Sequence, residues 1–519
     1  MVQYNTFYGS LVPESLVSEC AALYSGHYGT WSHASRIKPG SKIRLSPERL
    51  RDWIISPDSN ITVARDGAEL IGYAIAIRTK VPKWGIVSWV SQLVVHEGYR
   101  HSNVAKTLLF STWGFSNHFA WGLVTANPYA VRALEKATRR RCVPKRIKAN
   151  VAKLITVGSA HVPYINSETK VDVSTEHARV NTQFFLDHSQ VEEMIQKVVS
   201  NEKPWLLGEL EEGWEWLAFT FHDQMQISLT NDEIDAMLAA ADDVTREAYS
   251  RMSLGASHAW AKHGDAEAEF IARNCGLSGG STVLDLGCGS GRHVHSLARQ
   301  GMRAVGIDYV EPLIQLAIQS TDPSSLGSAT FTMGDCRTIE LGSEFDAVIC
   351  LYDVVGTYAE NENNLDILRN VARHLRHGGY ALISVMNMEA TRALGPEEFS
   401  LKDGPDRLLE LPASNTMEKS GDVFKPEFML IDRDTEVVYR KEQFSMGAGL
   451  PVELIVRDRR FTKRAIAELC QEAGLNVIWS RYVRAGAWEE EASAEKAKEI
   501  LVLCQRPEKN EVAQTSLWG

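Results

Sequence analysis

Long apolar runs are missing from this chain. No uninterrupted stretch approaches the roughly 18 residues that a membrane span needs. The start, MVQYNTFYGSLVPESL, lacks the basic-then-apolar order of a secretory signal. Together these absences predict a cytoplasmic protein without a membrane partner. Paired cysteines are missing too. The eight cysteines (20, 142, 275, 288, 336, 350, 470 and 504) are scattered, and none forms C-x-x-C. That argues against a disulfide frame and against a zinc site, so no metal is expected. Positive charge is in short supply: 55 Lys and Arg stand against 66 Asp and Glu, a net charge of -11. A broad electrostatic grip on nucleic acid is therefore disfavoured. Low-complexity tracts and internal repeats are absent.

What remains is an ordinary globular composition, 44% apolar, spread over 519 residues. That is too long for one hydrophobic core. Three zones emerge. Residues 1–228 alternate strand and helix patterns, with strands expected at NITVARD, ELIGYAIAIRT and VSWVSQLVV. Within that zone, KPWLLGELEEGWEWLAFTF predicts a hairpin turning at Glu211, Glu212 and Gly213, its aromatics filling a core more readily than stacking on a base. A linker and helix follow at 229–244. From 245 to 508, strands and helices alternate as in a doubly wound parallel sheet. A polar tail, 509–519, closes the chain.

The stretch VLDLGCGSG, residues 283–291, is the most informative. A buried-strand pattern runs into Gly287, Gly289 and Gly291, and RHVHSLARQG then reads as an amphipathic helix. Glycines at such a turn let a ligand approach the amides at the helix start. The spacing is G-x-G-x-G, not the dinucleotide G-x-G-x-x-G. The next strand, RAVGID, ends in Asp308, where a carboxylate can accept from both hydroxyls of a ribose. A third, ATFTMGD, ends in Asp335 followed by Cys336, and a fourth is FDAVICLYDVV. Ligands of open α/β sheets bind at the carboxyl ends of the strands, so these ends converge on one nucleoside-sized site.

In this order, VLDLGCGSGRH, VGIDYV, MGDCRTI, FDAVICLYDVVGTY and LRHGGYALISVMN resemble the class I S-adenosylmethionine-dependent methyltransferases. The resemblance implies a Rossmann-like domain over 245–508. It implies that Asp285 and the amides at Gly287, Gly289 and Gly291 hold the methionine portion, and that Asp308 holds the ribose. Asp335 and Cys336 would flank the adenine, and Leu351 and Tyr352 would line the pocket near the sulfonium. The run LYDV is not the Asn/Asp-Pro-Pro-aromatic pattern of enzymes that methylate DNA amino groups. An insertion at 388–460 alternates like a small antiparallel sheet and would cap the acceptor. Tyr352, Asp353 and His263 are the candidate catalytic residues, with His258, Trp260 and Tyr358 further acceptor-side groups.

In the N-terminal zone, VSWVSQLVVHEGYRHSNVAKTLLFSTWG and AWGLVTANPYAVRALEKATRR resemble the GNAT-type N-acetyltransferases, an α+β fold. The resemblance implies an acetyl-CoA or other acyl-CoA site at Val95, Arg100, Asn103, Ala105 and Asn127. Two departures stand out: Asn103 replaces a glycine of the coenzyme loop, and Leu134 replaces the tyrosine that protonates the leaving thiolate. The basic run RRRCVPKRIK, 139–148, reads as a helix end and a solvated loop, or as a contact for a coenzyme phosphate or RNA. Three functions are open: methyl transfer to O or N of a small molecule with acylation or binding by the first module, RNA methylation, or non-catalytic sensing of S-adenosylmethionine.

Overall fold

The computed structural model describes residues 2–54, 59–114, 116, 118–166, 168–200, 204–224, 262–404, 407–414, 425–444 and 452–509, with a few single positions between 225 and 261. The chain divides into two compact units, 1–247 with 443–455, and 248–442 with 456–519. The expected linker at 229–244, His258 and Trp260 fall mostly or wholly outside the described residues. No helix among the described residues is long and apolar enough to cross a membrane.

The first unit holds eight strands: β1 (Val2–Tyr8), β2 (Ser59–Asp66), β3 (Glu69–Val81), β4 (Gly85–Val95), β5 (Ala120–Thr125), β6 (Lys170–Val173), β7 (Ala178–Phe184) and β8 (Gly213–Phe221). They pair in the order β1-β2-β3-β4-β5-β8-β7-β6. The three strands expected from VSWVSQLVV and its two predecessors are β4, β3 and β2. Every pairing is antiparallel except β4 with β5. That parallel pairing covers only Val87–Val90 against Ala120–Leu123, so the strands part beyond Val90. The register of β4 on β3 also shifts there, between Ile75 and Ala76.

One expectation is corrected. No hairpin spans 203–221, because only Gly213–Phe221 is a strand, and it inserts between β5 and β7. Residues 204–212 fold irregularly, since Trp205 and Trp216 both donate their indole N–H to the Gly208 carbonyl, at 2.9 and 3.0 Å. The β8 aromatics Trp216, Phe219 and Phe221 are fully buried and serve the core.

The second unit is built on β9 (Thr282–Leu286), β10 (Arg303–Asp308), β11 (Ser328–Met333), β12 (Phe345–Cys350) and β13 (Leu375–Met386). The insertion carries β14 (Glu397–Phe399), β15 (Ala413–Ser414), β16 (Met429–Asp432), β17 (Val437–Phe444) and β18 (Val452–Arg459), and the chain ends in β19 (Asn476–Val483) and β20 (Glu499–Gln505). The main sheet runs β11-β10-β9-β12-β13-β20-β19, with β20 antiparallel to both its neighbours. Alternate residues serve opposite faces: Leu284, Leu286, Val348 and Cys350 join one core, Val283, Ala347 and Ile349 the other. Burial on both faces explains the unbroken apolar runs of these strands. The strand order reverses between β9 and β12, which opens a crevice above their carboxyl ends.

The insertion sheet is mixed rather than antiparallel. The β16–β17 pair is antiparallel, but β14 lies parallel to β16 and β15 to β17. Those two short strands reach their partners through long connections, which permit a parallel approach that a tight turn forbids.

Candidate active site

At the end of β9 the backbone turns through three left-handed glycines, with φ of 84° at Gly287, 52° at Gly289 and 81° at Gly291. Two of them answer to packing. A Cβ on Gly287 would stand 2.2 Å from Val354 Cγ2, and one on Gly291 would stand 2.6 Å from the Phe331 ring. Gly289 differs, because a Cβ there would meet nothing within 4 Å. The loop is therefore held tightly at both ends and open in the middle, beside the start of helix Arg292–Arg299. A ligand reaches backbone amides most readily at such a place.

Two carboxylates flank the loop. Asp285 is 2% exposed, and its Oδ2 has no hydrogen-bond partner. Burial pushes its pKa up to about 7, Arg292 opposing and Asp308 adding to the shift. Asp308, at the end of β10, accepts from Gly289 N at 2.8 Å through Oδ2 and from Val310 N at 2.9 Å through Oδ1. Each oxygen keeps a lone pair. Burial raises the Asp308 pKa, against the pull of the amides of Val310, Gly289 and Tyr309. An orphaned buried carboxylate, a second carboxylate with free lone pairs, and an open glycine suit the amino acid and ribose ends of S-adenosylmethionine.

Asp335 is engaged elsewhere. Its carboxylate forms a forked ion pair with the Arg337 guanidinium, Nη2 lying 2.6 Å and Nε 3.0 Å from its oxygens. Arg337 in turn sits 4.7 Å over the ring of Tyr358. Cys336 and Leu351 are buried, at 9% and 3% exposure. Their packing makes the floor of the crevice apolar beyond the carboxylates.

Above β12 the chain takes a strained turn. Tyr352 and Asp353 have φ of 58° and 67°, two consecutive residues in a region that costs a side-chain-bearing residue about 1–3 kcal/mol. The turn is fixed by bonds on several sides. Tyr352 N donates to Ser384 Oγ at 2.7 Å, and the Tyr352 hydroxyl donates to Glu267. Glu267 is a buried hub that also receives His293 Nε2 at 2.8 Å, Arg292 Nη1 at 3.2 Å and Gly486 N at 3.1 Å. Burial acts to raise its pKa, but the His293 hydrogen bond and the Arg292 charge hold it below the usual carboxylate value. The Arg292 guanidinium also lies 4.2 Å over the Tyr352 ring.

Two acids near this turn are held close to neutral pH. Burial raises Asp353 to about 7, with Asp458 adding and Arg460 and Arg440 opposing, and its Oδ1 has no partner. Burial raises Glu499, on β20, to about 8, helped by the charges of Asp353 and Glu267, and its Oε2 has no partner. His263 packs on Gly486, whose N–H bonds Glu267, so it stands one link from the Tyr352 hydroxyl. Glu267, Arg292, His293 and Glu499 are absent from the residues picked out by sequence. Arg292 and His293 directly follow the glycine loop and could have been found there. Glu267 and Glu499 lie far from any motif and carried no signal.

The coenzyme residues expected in the first unit have structural partners. Val95 ends β4 opposite Gly72. Asn103 is left-handed, φ 65°, and precedes helix Val104–Trp113, whose first turn holds Ala105. Arg100 Nη2 donates to the His27 carbonyl. Asn127 caps helix Pro128–Thr138 by accepting from Tyr129 N at 2.9 Å. Leu134 is buried in the core. The basic run is not a solvated loop: Arg139 and Arg140 are buried, Arg140 donates to the His222 carbonyl, and Arg141 pairs with Glu135 at 3.0 Å.

Residues 283–379 match the family model described as a methyltransferase domain. The cypemycin N-terminal methyltransferase of a Streptomyces species is 27% identical over 180 residues, which span 34% of this chain and 71% of that protein. A dTDP-4-amino-2,3,4,6-tetradeoxy-D-glucose N,N-dimethyltransferase of Saccharopolyspora spinosa is 28% identical over 102 residues, 20% of this chain and only 39% of that protein. A ubiquinone biosynthesis O-methyltransferase of Dinoroseobacter shibae is 28% identical over 181 residues, 31% and 71% of the two chains. Among solved structures, the CcbJ methyltransferase from Streptomyces caelestis is similar with a TM-score of 0.35 and 18% identity, over 47% of this chain and 89% of that one. The glycine loop, its two carboxylates and the family match together make this part of the chain a class I S-adenosylmethionine-dependent methyltransferase domain.

Proposed function

We propose that this protein transfers a methyl group to an oxygen or nitrogen atom of a small molecule. The observation that carries this reading is the convergence at one sheet crevice of Asp285, the open loop at Gly289, and Asp308, beneath the strained Tyr352–Asp353 turn. Relatives named as N- and O-methyltransferases support a small acceptor. S-adenosylmethionine, when bound, supplies a methyl group activated by a positive sulfur. Asp285 and the amides of Gly287, Gly289 and Gly291 hold its amino acid portion, and Asp308 receives the ribose hydroxyls. Cys336 and the Asp335–Arg337 pair flank the adenine, and Leu351 and Tyr352 wall the side nearest the acceptor. Transfer then needs an aligned nucleophile and a group to take its proton. Asp353 and Glu499 titrate near neutral pH and suit that task, Tyr352 positions the turn, and His263 lies on the acceptor side.

For the first unit, the reading is an acyl-thioester-binding module. The parting of β4 from β5 and the left-handed loop at His101 and Asn103 support it. Buried Leu134 offers no acid for a leaving thiolate, so binding is favoured over catalysis there. RNA methylation is disfavoured, because the arginines at 139–141 are spent on internal partners. Mass spectrometry of a cell extract incubated with the protein and S-adenosylmethionine tests the main reading. A methylated metabolite and S-adenosylhomocysteine are expected; binding without turnover on any acceptor would leave a sensor instead.

A further inference from the structure

The first unit contains a cavity of about 1410 Å³ that neither methyl transfer nor the coenzyme loop uses. Its walls come from helix Glu14–His27, the segment 37–53, the parted end of β4 at Ser91 and Gln92, Val124 of β5, and the ends of β7 and β8.

The lining is chemically lopsided. Glu215 is its one acid, 5% exposed on β8. Thr182 Oγ1 donates to its Oε2 at 2.8 Å, and among the described residues no Lys, Arg or His pairs with it. Tyr24 and Tyr28 from helix Glu14–His27, Tyr164, and Thr182 of β7 are the groups that face it, and its charge acts on all three tyrosines. Burial lifts its pKa to about 7, with only the Thr182 bond opposing. Aromatic rings surround the same space: Tyr24 stacks on Tyr28 at 4.2 Å, and Trp31 meets Phe184 edge-on at 5.1 Å. A carboxylate among ring faces is a receptor for an ammonium group, which gains both the ion pair and cation–π attraction.

The segment 38–49 contributes the opposite charge. Lys38, Lys42, Arg44 and Arg49 line the cavity and are exposed. Lys42 Nζ donates to the Gly26 carbonyl at 2.6 Å, and among the described residues none of the four forms an ion pair. In a chain of net charge -11, four cations left without carboxylates beside one cavity are available to an anion.

We propose that this cavity binds a small amphoteric molecule, its amine against Glu215 and its acidic group, carboxylate or phosphate, against the cations of segment 38–49. Binding then ionises Glu215 and releases a proton, so affinity rises with pH from 6 to 8 while the amine stays charged.

The test is calorimetric titration of the full-length protein with four probes of one aromatic body: tyrosine, tyramine O-phosphate, tyramine, and 3-(4-hydroxyphenyl)propionate. The two amphoteric probes are expected to bind at least about tenfold more tightly than the two that carry a single charge. Tyrosine against tyramine O-phosphate shows which acid the site takes. Glu215→Gln should erase the advantage conferred by the amine, and the exposed Arg44→Ala should reduce that conferred by the acid. Equal affinity for singly charged and amphoteric probes overturns the proposal, as does the absence of saturable heat with any amphoteric probe up to about 10 mM. Should Glu215→Gln fail to fold, the probe comparison on the unmodified protein and on Arg44→Ala decides alone.

Discussion

At Asp308 one carboxylate serves both the protein and the proposed ligand. Its oxygens anchor Gly289 N and Val310 N, so Asp308→Ala removes an acceptor from the ribose and also loosens the glycine loop. S-adenosylmethionine affinity should fall at least about tenfold, from loss of a charge-assisted bond worth about 1.5–3 kcal/mol, and the melting temperature should fall with it. Calorimetry with unchanged affinity would refute the ribose assignment. The neighbouring glycines separate packing from binding. Gly287→Ala drives a methyl group into Val354 and should cost roughly 1–3 kcal/mol of stability. Gly289→Ala meets open space, so beyond the strain of its φ it should leave stability largely intact while weakening the cofactor. If both variants lost only stability, the middle of the loop would not be a ligand cradle. The buried acids set a further expectation. Asp285, Asp353 and Glu499 have folded pKa values raised to about 7, 7 and 8. A raised acid favours folding fully below its unfolded pKa and loses that contribution as pH climbs through the folded value. The melting temperature of the cofactor-free protein should therefore drop between pH 6 and 9, and Glu499→Gln should shallow that drop. A slope unchanged in the variant would mean that Glu499 is ionised throughout.

Elements differ in how plainly the sequence announced them. The β9-loop-helix unit was legible because its apolar run, glycines and helical period agree, and because the next strand ends in a carboxylate. The irregular segment 204–212 was not, since Glu-Glu-Gly after an apolar run is a good hairpin signal and only the shared Gly208 carbonyl shows why no ladder forms. The parallel pairings of β14 and β15 were equally hidden, because strands of two or three residues carry no periodicity. Nor could spacing reveal that Glu267 and Glu499, on distant elements, meet at the Tyr352 turn. Close approach between elements was hidden in the same way. Gly122 of β5 stands opposite Phe219 of β8, and a Cβ on it would lie 2.2 Å from the ring. Gly122→Ala should therefore disrupt the β5–β8 pairing and destabilise the first unit by roughly 1–3 kcal/mol. Amide exchange should quicken along both strands, while S-adenosylmethionine affinity stays unchanged. Retained protection in β8 would show that the ring swings aside.

On the scale of the whole molecule, each unit has a core of its own. Tyr24, Leu50, Val63, Tyr73 and Val94 belong to the core of the first, and Leu284, Val348, Ile383 and Val502 to that of the second. Every residue proposed to hold S-adenosylmethionine, from Asp285 to Tyr352, belongs to the second unit. A ligand that binds only the native form stabilises what it touches, by about 2.7 kcal/mol at one hundred times its dissociation constant. Local opening is measured region by region through amide exchange, so this stabilisation has an address. In the full-length protein, S-adenosylmethionine should slow exchange in 283–310 and 334–355 and leave β1–β5 as they were. An amphoteric ligand in the cavity should do the reverse, slowing helix Glu14–His27 and β8. Protection spreading from S-adenosylmethionine into the first unit would show that the two sites are coupled. Their ligands would then have to affect each other's affinity by the same factor, which titration of one in the presence of the other would measure.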